Sequence, residues 1–153
     1  MKNLIKNSLY EIILLVLGFA GLLDASYLTA KHYLKTPVFC SVFSGCETVL
    51  TSSYAQIAGV PIALLGAIYY FAVLVLLLLW FEFRRKKYLV SAMVLAGFGT
   101  AASLFWVGVQ IGVIKAICLY CVISSIISTT LFILLLIRNI KLKHLGRGAG
   151  IQT

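Results

Sequence analysis

The chain has 153 residues, 62% of them hydrophobic and 11% charged, with a mean hydropathy of +1.07. Soluble domains average about 45–50% apolar and about 25% charged residues. A soluble globule of this length has too little interior for so many apolar side chains, and disorder is excluded by the same numbers. The formal net charge of +9 is not read as a nucleic-acid surface: the cations stand between apolar runs, where they orient a membrane protein.

A membrane-crossing helix takes about 20 residues, which leaves room for four helices and short links. The apolar runs predict a single domain over 1–153, an all-α membrane protein. The architecture expected is a four-transmembrane-helix bundle with one long extracytoplasmic loop, about 31–60, between helices 1 and 2. Span one covers about 9–30 and carries Glu11 near its start and Asp24 within it. Span two covers about 61–83, with Pro61 at its first helical position, where a missing N–H costs nothing. Span three covers about 88–113, and span four about 116–138, closed by Arg138. Gly97, Gly99, Ala101 and Ala102 suit close helix contact in span three. Trp80 and Tyr88 fit an interfacial aromatic belt. Span one is read as retained rather than as a cleaved signal peptide, because its apolar stretch is long for one.

Orientation follows from the cations. Ten of the thirteen fall on one side: Lys2, Lys6, the cluster Arg84-Arg85-Lys86-Lys87, and Arg138, Lys141, Lys143 and Arg147. Lys31, Lys35 and Lys115 fall on the other. Both termini are therefore expected in the cytoplasm, with the long loop and the Lys115 turn facing outward.

This topology gathers the four cysteines at the outer face, where disulfides persist. Cys40 and Cys46 lie in the loop, with five residues between them, Gly45 included, as a short mobile ring. Cys118-Leu119-Tyr120-Cys121 opens span four. Residues i and i+3 of a helix share a face, a spacing compatible with a strained, reducible disulfide. A helix N-terminus also stabilises a thiolate. Two pairs at different depths suit a relay by thiol–disulfide exchange. Other readings fit part of the pattern. Two static disulfides in a structural tetraspan need no turnover. A small four-span transporter would use Asp24 or Glu11 as its coupling acid. A four-thiolate zinc site is disfavoured, with one pair at lipid depth and no ligand histidine beside it, so no metal is expected. Asp24 is either a proton-handling group or a solvated acid paired near Lys31. His32 is either a thiol activator or a surface histidine. Trp106 and Phe105 face either a pocket or lipid.

Several segments in fixed order resemble the vitamin K epoxide reductase family in its prokaryotic form. They are Tyr27-Leu28-Thr29, Cys40 and Cys46, and Val49-Leu50-Thr51-Ser52-Ser53-Tyr54-Ala55. Gly59-Val60-Pro61 leading to Gly66 and Tyr70 follows, and then the C-x-x-C. The resemblance implies a four-helix bundle around a quinone of menaquinone, ubiquinone or vitamin K type. By position, Cys121 would reduce the quinone, Cys118 would accept electrons from the loop, Cys46 would attack Cys118, and Cys40 would exchange with an external partner. Ser52 matches a position near the active site, and Tyr54 and Leu65 match positions lining the quinone pocket. Ser125, within Val122-Ile123-Ser124-Ser125-Ile126, stands where the animal enzymes have a pocket tyrosine. That difference argues against vitamin K epoxide reduction as the main activity, although it is the alternative enzyme reading. The chain is expected to lack the fused thioredoxin-like domain of many bacterial relatives and to use a separate thioredoxin-like oxidoreductase. The reading is a membrane thiol:quinone oxidoreductase that supports disulfide formation outside the cytoplasm.

Overall fold

The computed structural model describes residues 2–36, 38, 45–57 and 59–148. Four long helices dominate: α1 (Lys2–Leu34), α3 (Ile62–Phe83), α4 (Lys86–Val109) and α5 (Leu119–Gly148). A short helix α2 (Gly45–Thr51) lies between α1 and α3, and α4 ends in a π-helical stretch, Gln110–Ile114. The segments Ser8–Leu34, Ile62–Phe83, Lys86–Ile114 and Leu119–His144 are each long and apolar enough to cross a bilayer. The protein is an integral membrane protein.

Each long helix packs on two others, so that α1, α3, α4 and α5 close a ring. The core is aliphatic: Leu14, Val73, Leu77, Leu89, Ala92, Ala96, Leu131 and Leu135 are wholly buried. Large apolar side chains such as Phe71, Leu104 and Ile126 point outward and are exposed. In water that surface would drive aggregation; hydrocarbon covers it at no cost. With lipid as apolar as the core, close packing rather than water exclusion holds the helices together.

The adjacent tyrosines of α3 show how that packing is made. The Tyr70 ring sits against Gly21 of α1, and the Tyr69 ring against Gly99 of α4. Their hydroxyls reach α5. Tyr69 Oη lies 2.8 Å from Ser128 Oγ, and Tyr70 Oη donates to the Ser124 carbonyl at 2.7 Å. One dipeptide therefore ties all four long helices together, and Gly99 serves the close contact expected of span three.

Two features set the ends of the bundle. At the end remote from the cysteines, Arg84 grips Glu11 through both terminal guanidinium nitrogens, and the Tyr10 hydroxyl donates to the Leu134 carbonyl. The hydrogen bonds to Glu11 hold the Arg84 guanidinium even further above its ordinary value. Lys35, Arg84 and Lys115 have left-handed backbones, with φ of 50°, 51° and 55°, and each follows a helical segment.

The start of α3 differs in detail from the sequence reading. Pro61 is not the first helical residue but the extended residue before it. The cause is a two-stranded antiparallel ladder in which Gln56 pairs with Pro61 and Ile57 with Val60. Gly59 closes the turn with φ of 81°, a conformation that glycine adopts without strain.

Candidate functional site

The C-x-x-C straddles a helix boundary. α5 begins at Leu119, and the Cys118 carbonyl accepts the Val122 N–H at 3.1 Å. Cys118 is therefore the N-cap rather than a residue inside the first turn, as the spacing had suggested. An N-cap side chain accepts hydrogen bonds from the second and third N–H groups of its helix. Here those donors are the backbones of Tyr120 and Cys121, both bonded to the Cys118 sulfur. The Cys121 thiol donates to the same sulfur. Both cysteines carry free thiols; Cys118 is buried and Cys121 partly so.

These donors, the Cys121 thiol first, hold the Cys118 thiol below its ordinary value, although burial works the other way. The positive end of the α5 dipole adds to the effect. The pair is thus a dithiol in which the Cys118 sulfur gathers the hydrogen-bond donors of the turn, the Cys121 thiol among them.

The other pair approaches through α2. Cys46 is disulfide-bonded. It packs with Val49 and Cys118 in a small buried cluster of their own, bordered by Ile114, Ala116 and Tyr120. Gly45 makes this approach possible: a Cβ there would lie 2.7 Å from the Ile117 carbonyl oxygen and 2.9 Å from its nitrogen. Gly45, placed by the sequence within the Cys40–Cys46 stretch, is the first residue of α2 and is pressed against the backbone leading into Cys118. Cys40 lies outside the described residues.

Cys121 faces the other way, onto a cavity of about 450 Å³ with mostly apolar walls. Ala25 and Leu28 of α1, Leu65 and Gly66 of α3, and Phe98, Ala102 and Trp106 of α4 contribute to it. Three of the four pocket residues expected from sequence are there. Ser52 lies on the wall with its hydroxyl donating to the Val49 carbonyl at 2.7 Å. Tyr54 and Leu65 also line the cavity. Ser125 is buried and is not among the lining residues, whereas Ser124 is. One residue along a helix turns about 100°, enough to exchange cavity for core.

Two titratable groups share this space. Asp24 lines the cavity, and its Oδ2 is buried with no hydrogen-bond partner among the described residues. His32 stands at the rim, where Gln56 Nε2 donates to its Nε2 at 3.0 Å. Trp106 faces the cavity, and Phe105 packs edge-on against it while itself exposed. Among the described residues, no three His, Cys, Asp or Glu side chains are grouped to hold a metal.

Sequence reasoning passed over Gln110. Its side chain is 4% exposed, lines the cavity, and accepts the Cys118 backbone N–H at 2.9 Å. The available signal was a single carboxamide in the uncharged run from Tyr88 to Ile114.

Comparison with known proteins gives a consistent picture. Residues 12–136 match the model of the vitamin K epoxide reductase family. The thiol-disulfide oxidoreductase LTO1 of Arabidopsis thaliana is 28% identical over 140 residues, covering 86% of this chain and 37% of that protein. The chain thus spans little more than a third of the length of this relative.

Proposed function

The chain belongs to the vitamin K epoxide reductase family, and from that premise we propose that it is a membrane thiol:quinone oxidoreductase. One observation carries the reading. The Cys118–Cys121 dithiol lies between two features, with disulfide-bonded Cys46 packed against Cys118 and an apolar cavity beside Cys121. A second cysteine pair able to exchange with the dithiol on one side and an apolar site for an electron acceptor on the other suit a relay. The similarity to a thiol-disulfide oxidoreductase supports the same chemistry.

In this reading an extracytoplasmic thioredoxin-like protein gives two electrons to the Cys40–Cys46 pair. Cys46 then attacks the Cys118–Cys121 disulfide at Cys118, forming a mixed disulfide and releasing Cys121. Cys40 resolves it, which regenerates Cys40–Cys46 and leaves the dithiol. The dithiol loses two electrons and two protons as its disulfide re-forms, and a quinone takes up both to become the quinol.

The cavity fits that acceptor. Its volume lies in the range of small-molecule sites, about 300–1,000 Å³, and its walls suit an apolar ring. Asp24 supplies the acid–base group, holding the proton at Oδ2 between thiol and acceptor. Trp106, Phe98 and Leu65 exclude water. The cation distribution supports both termini in the cytoplasm and the cysteines outside. The test is dithiol-driven quinone reduction by the purified protein in detergent. Turnover is expected in the wild type and absent in Cys121→Ala. Equal turnover in the two proteins would refute the assignment.

A further inference from the structure

Gln110 makes more bonds to the redox turn than any helix-packing role requires. It opens the π-helical stretch, and its carbonyl accepts the N–H of Lys115, five residues on, and that of Ala116 at 3.2 Å. Its Oε1 accepts the Cys118 N–H at 2.9 Å. Its side chain and Cys121 line the same cavity. π-Helical insertions carry an energetic cost and gather at functional sites. Here the carboxamide of the residue that opens the stretch reaches the start of α5.

The chemistry of an amide fixes which end faces which partner. The oxygen only accepts and the NH₂ only donates. Because the Cys118 N–H is a donor, the oxygen must face it. The NH₂ is left for the Cys121 sulfur. We propose that Gln110 is a positioning residue for the dithiol: one end of its amide fixes the Cys118 backbone, and the other presents a hydrogen-bond donor to the Cys121 sulfur. At rest the Cys121 proton is shared with Cys118. When that proton passes to Cys118, Cys121 becomes the charged sulfur, and the Gln110 NH₂ already faces it. This role deepens the reading of Cys121 as the quinone-facing thiol and rests on it.

The test uses the reduced full-length protein and no quinone. Alkylation of Cys121 is followed against pH by mass spectrometry. Gln110→Glu keeps an acceptor for the Cys118 N–H but replaces the donor with a carboxylate. Gln110→Leu removes both contacts and suits an apolar span, so it keeps the test open if the buried charge prevents folding. Among the described residues, the other titratable or charged groups that line the cavity or border the dithiol are Asp24, His32, Tyr54, Tyr69, Lys115 and Tyr120, and all remain in both variants. Losing a hydrogen bond to a charged group is expected to move the Cys121 profile to higher pH, with about tenfold slower alkylation at a given pH. Profiles of both variants superimposed on that of the wild type would overturn the proposal. The two levels separate cleanly. Quinone turnover in Cys121→Ala would remove the reading underneath; its loss beside unmoved Gln110 profiles would remove only the Gln110 role.

Discussion

The ring of Tyr70 fills the space that a side chain on Gly21 would need: a Cβ there would lie 2.2 Å from Tyr70 Cε1. Tyr70 is 1% exposed and held at its hydroxyl by Ser124, so it has no room to retreat. Gly21→Ala is expected to destabilise the bundle by about 1–3 kcal/mol, the usual cost of overpacking. Thermal unfolding in detergent measures it. Adding Tyr70→Leu should recover part of the loss, and a melting temperature unchanged by Gly21→Ala would show that the helices separate easily.

Gly45 makes a different kind of contact, with backbone rather than a ring. Gly45→Val cannot be absorbed by a side-chain rotation, because the Ile117 backbone is what it would strike. The expected result is a protein that still reduces quinone with a small dithiol but loses at least about tenfold with a protein thiol donor. A steady-state assay with both donors separates the two outcomes. Equal losses with both would mean that the effect lies in α5 rather than in the seating of α2.

Cys46→Ala should divide the donors more sharply. In the proposed relay a small dithiol reduces the oxidised Cys118–Cys121 pair without the loop, whereas a protein donor acts through it. Protein-driven turnover is expected to vanish while small-dithiol turnover persists. Persistence of both would show that the loop pair is not on the electron path.

The Cys118 thiol gives a pH signature. Its lowered value means that the thiolate persists to lower pH than in an ordinary cysteine. In the reduced protein, its alkylation rate should therefore level off at lower pH than that of a model thiol. Cys121→Ala removes the largest cause and should shift the curve to higher pH, while Cys121→Ser, which keeps a hydroxyl donor, should shift it less. Linkage fixes the sign for stability. A depressed acid stabilises the folded state fully above the ordinary thiol value, and this contribution is lost as pH falls through the lowered one.

Asp24→Asn keeps the shape of the side chain and removes its capacity to take up a proton. General acid–base groups are worth roughly 10²–10⁴ in rate, so quinone reduction should fall by about that range with melting unchanged. Wild-type turnover in the variant would return Asp24 to a structural role.

Much of this was legible in the sequence because it depends on composition and spacing. Four apolar runs separated by cations point to the four-helix bundle, and the C-x-x-C points to the dithiol found beside the cavity. What remained hidden depends on the path of the backbone. Whether Cys118 is the N-cap or lies inside the helix depends on where α5 starts, which the spacing of the two cysteines does not show. A π-helical insertion leaves no periodic trace, so Gln110 read as one polar residue in an apolar run. The choice between Ser124 and Ser125 is a matter of helix rotation. Gly45 read as a source of flexibility because nothing in the sequence shows that Ile117 lies against it.

The left-handed residues at the helix ends carry a consequence for the lipid around the protein. Lysine and arginine stand where glycine would fit without strain, at a backbone cost of about 1–2 kcal/mol each. Moving such a charge into hydrocarbon costs about 2.5–3.5 kcal/mol more. Each turn is thus also a depth marker. α3, with 22 residues before Arg84, is about 33 Å long at 1.5 Å per residue, close to the hydrocarbon thickness of about 30 Å. α3 is therefore matched to one bilayer thickness, and the bundle answers a mismatched membrane by tilting as a unit or deforming the lipid, because α1, α3 and α4 each lead into a charged turn.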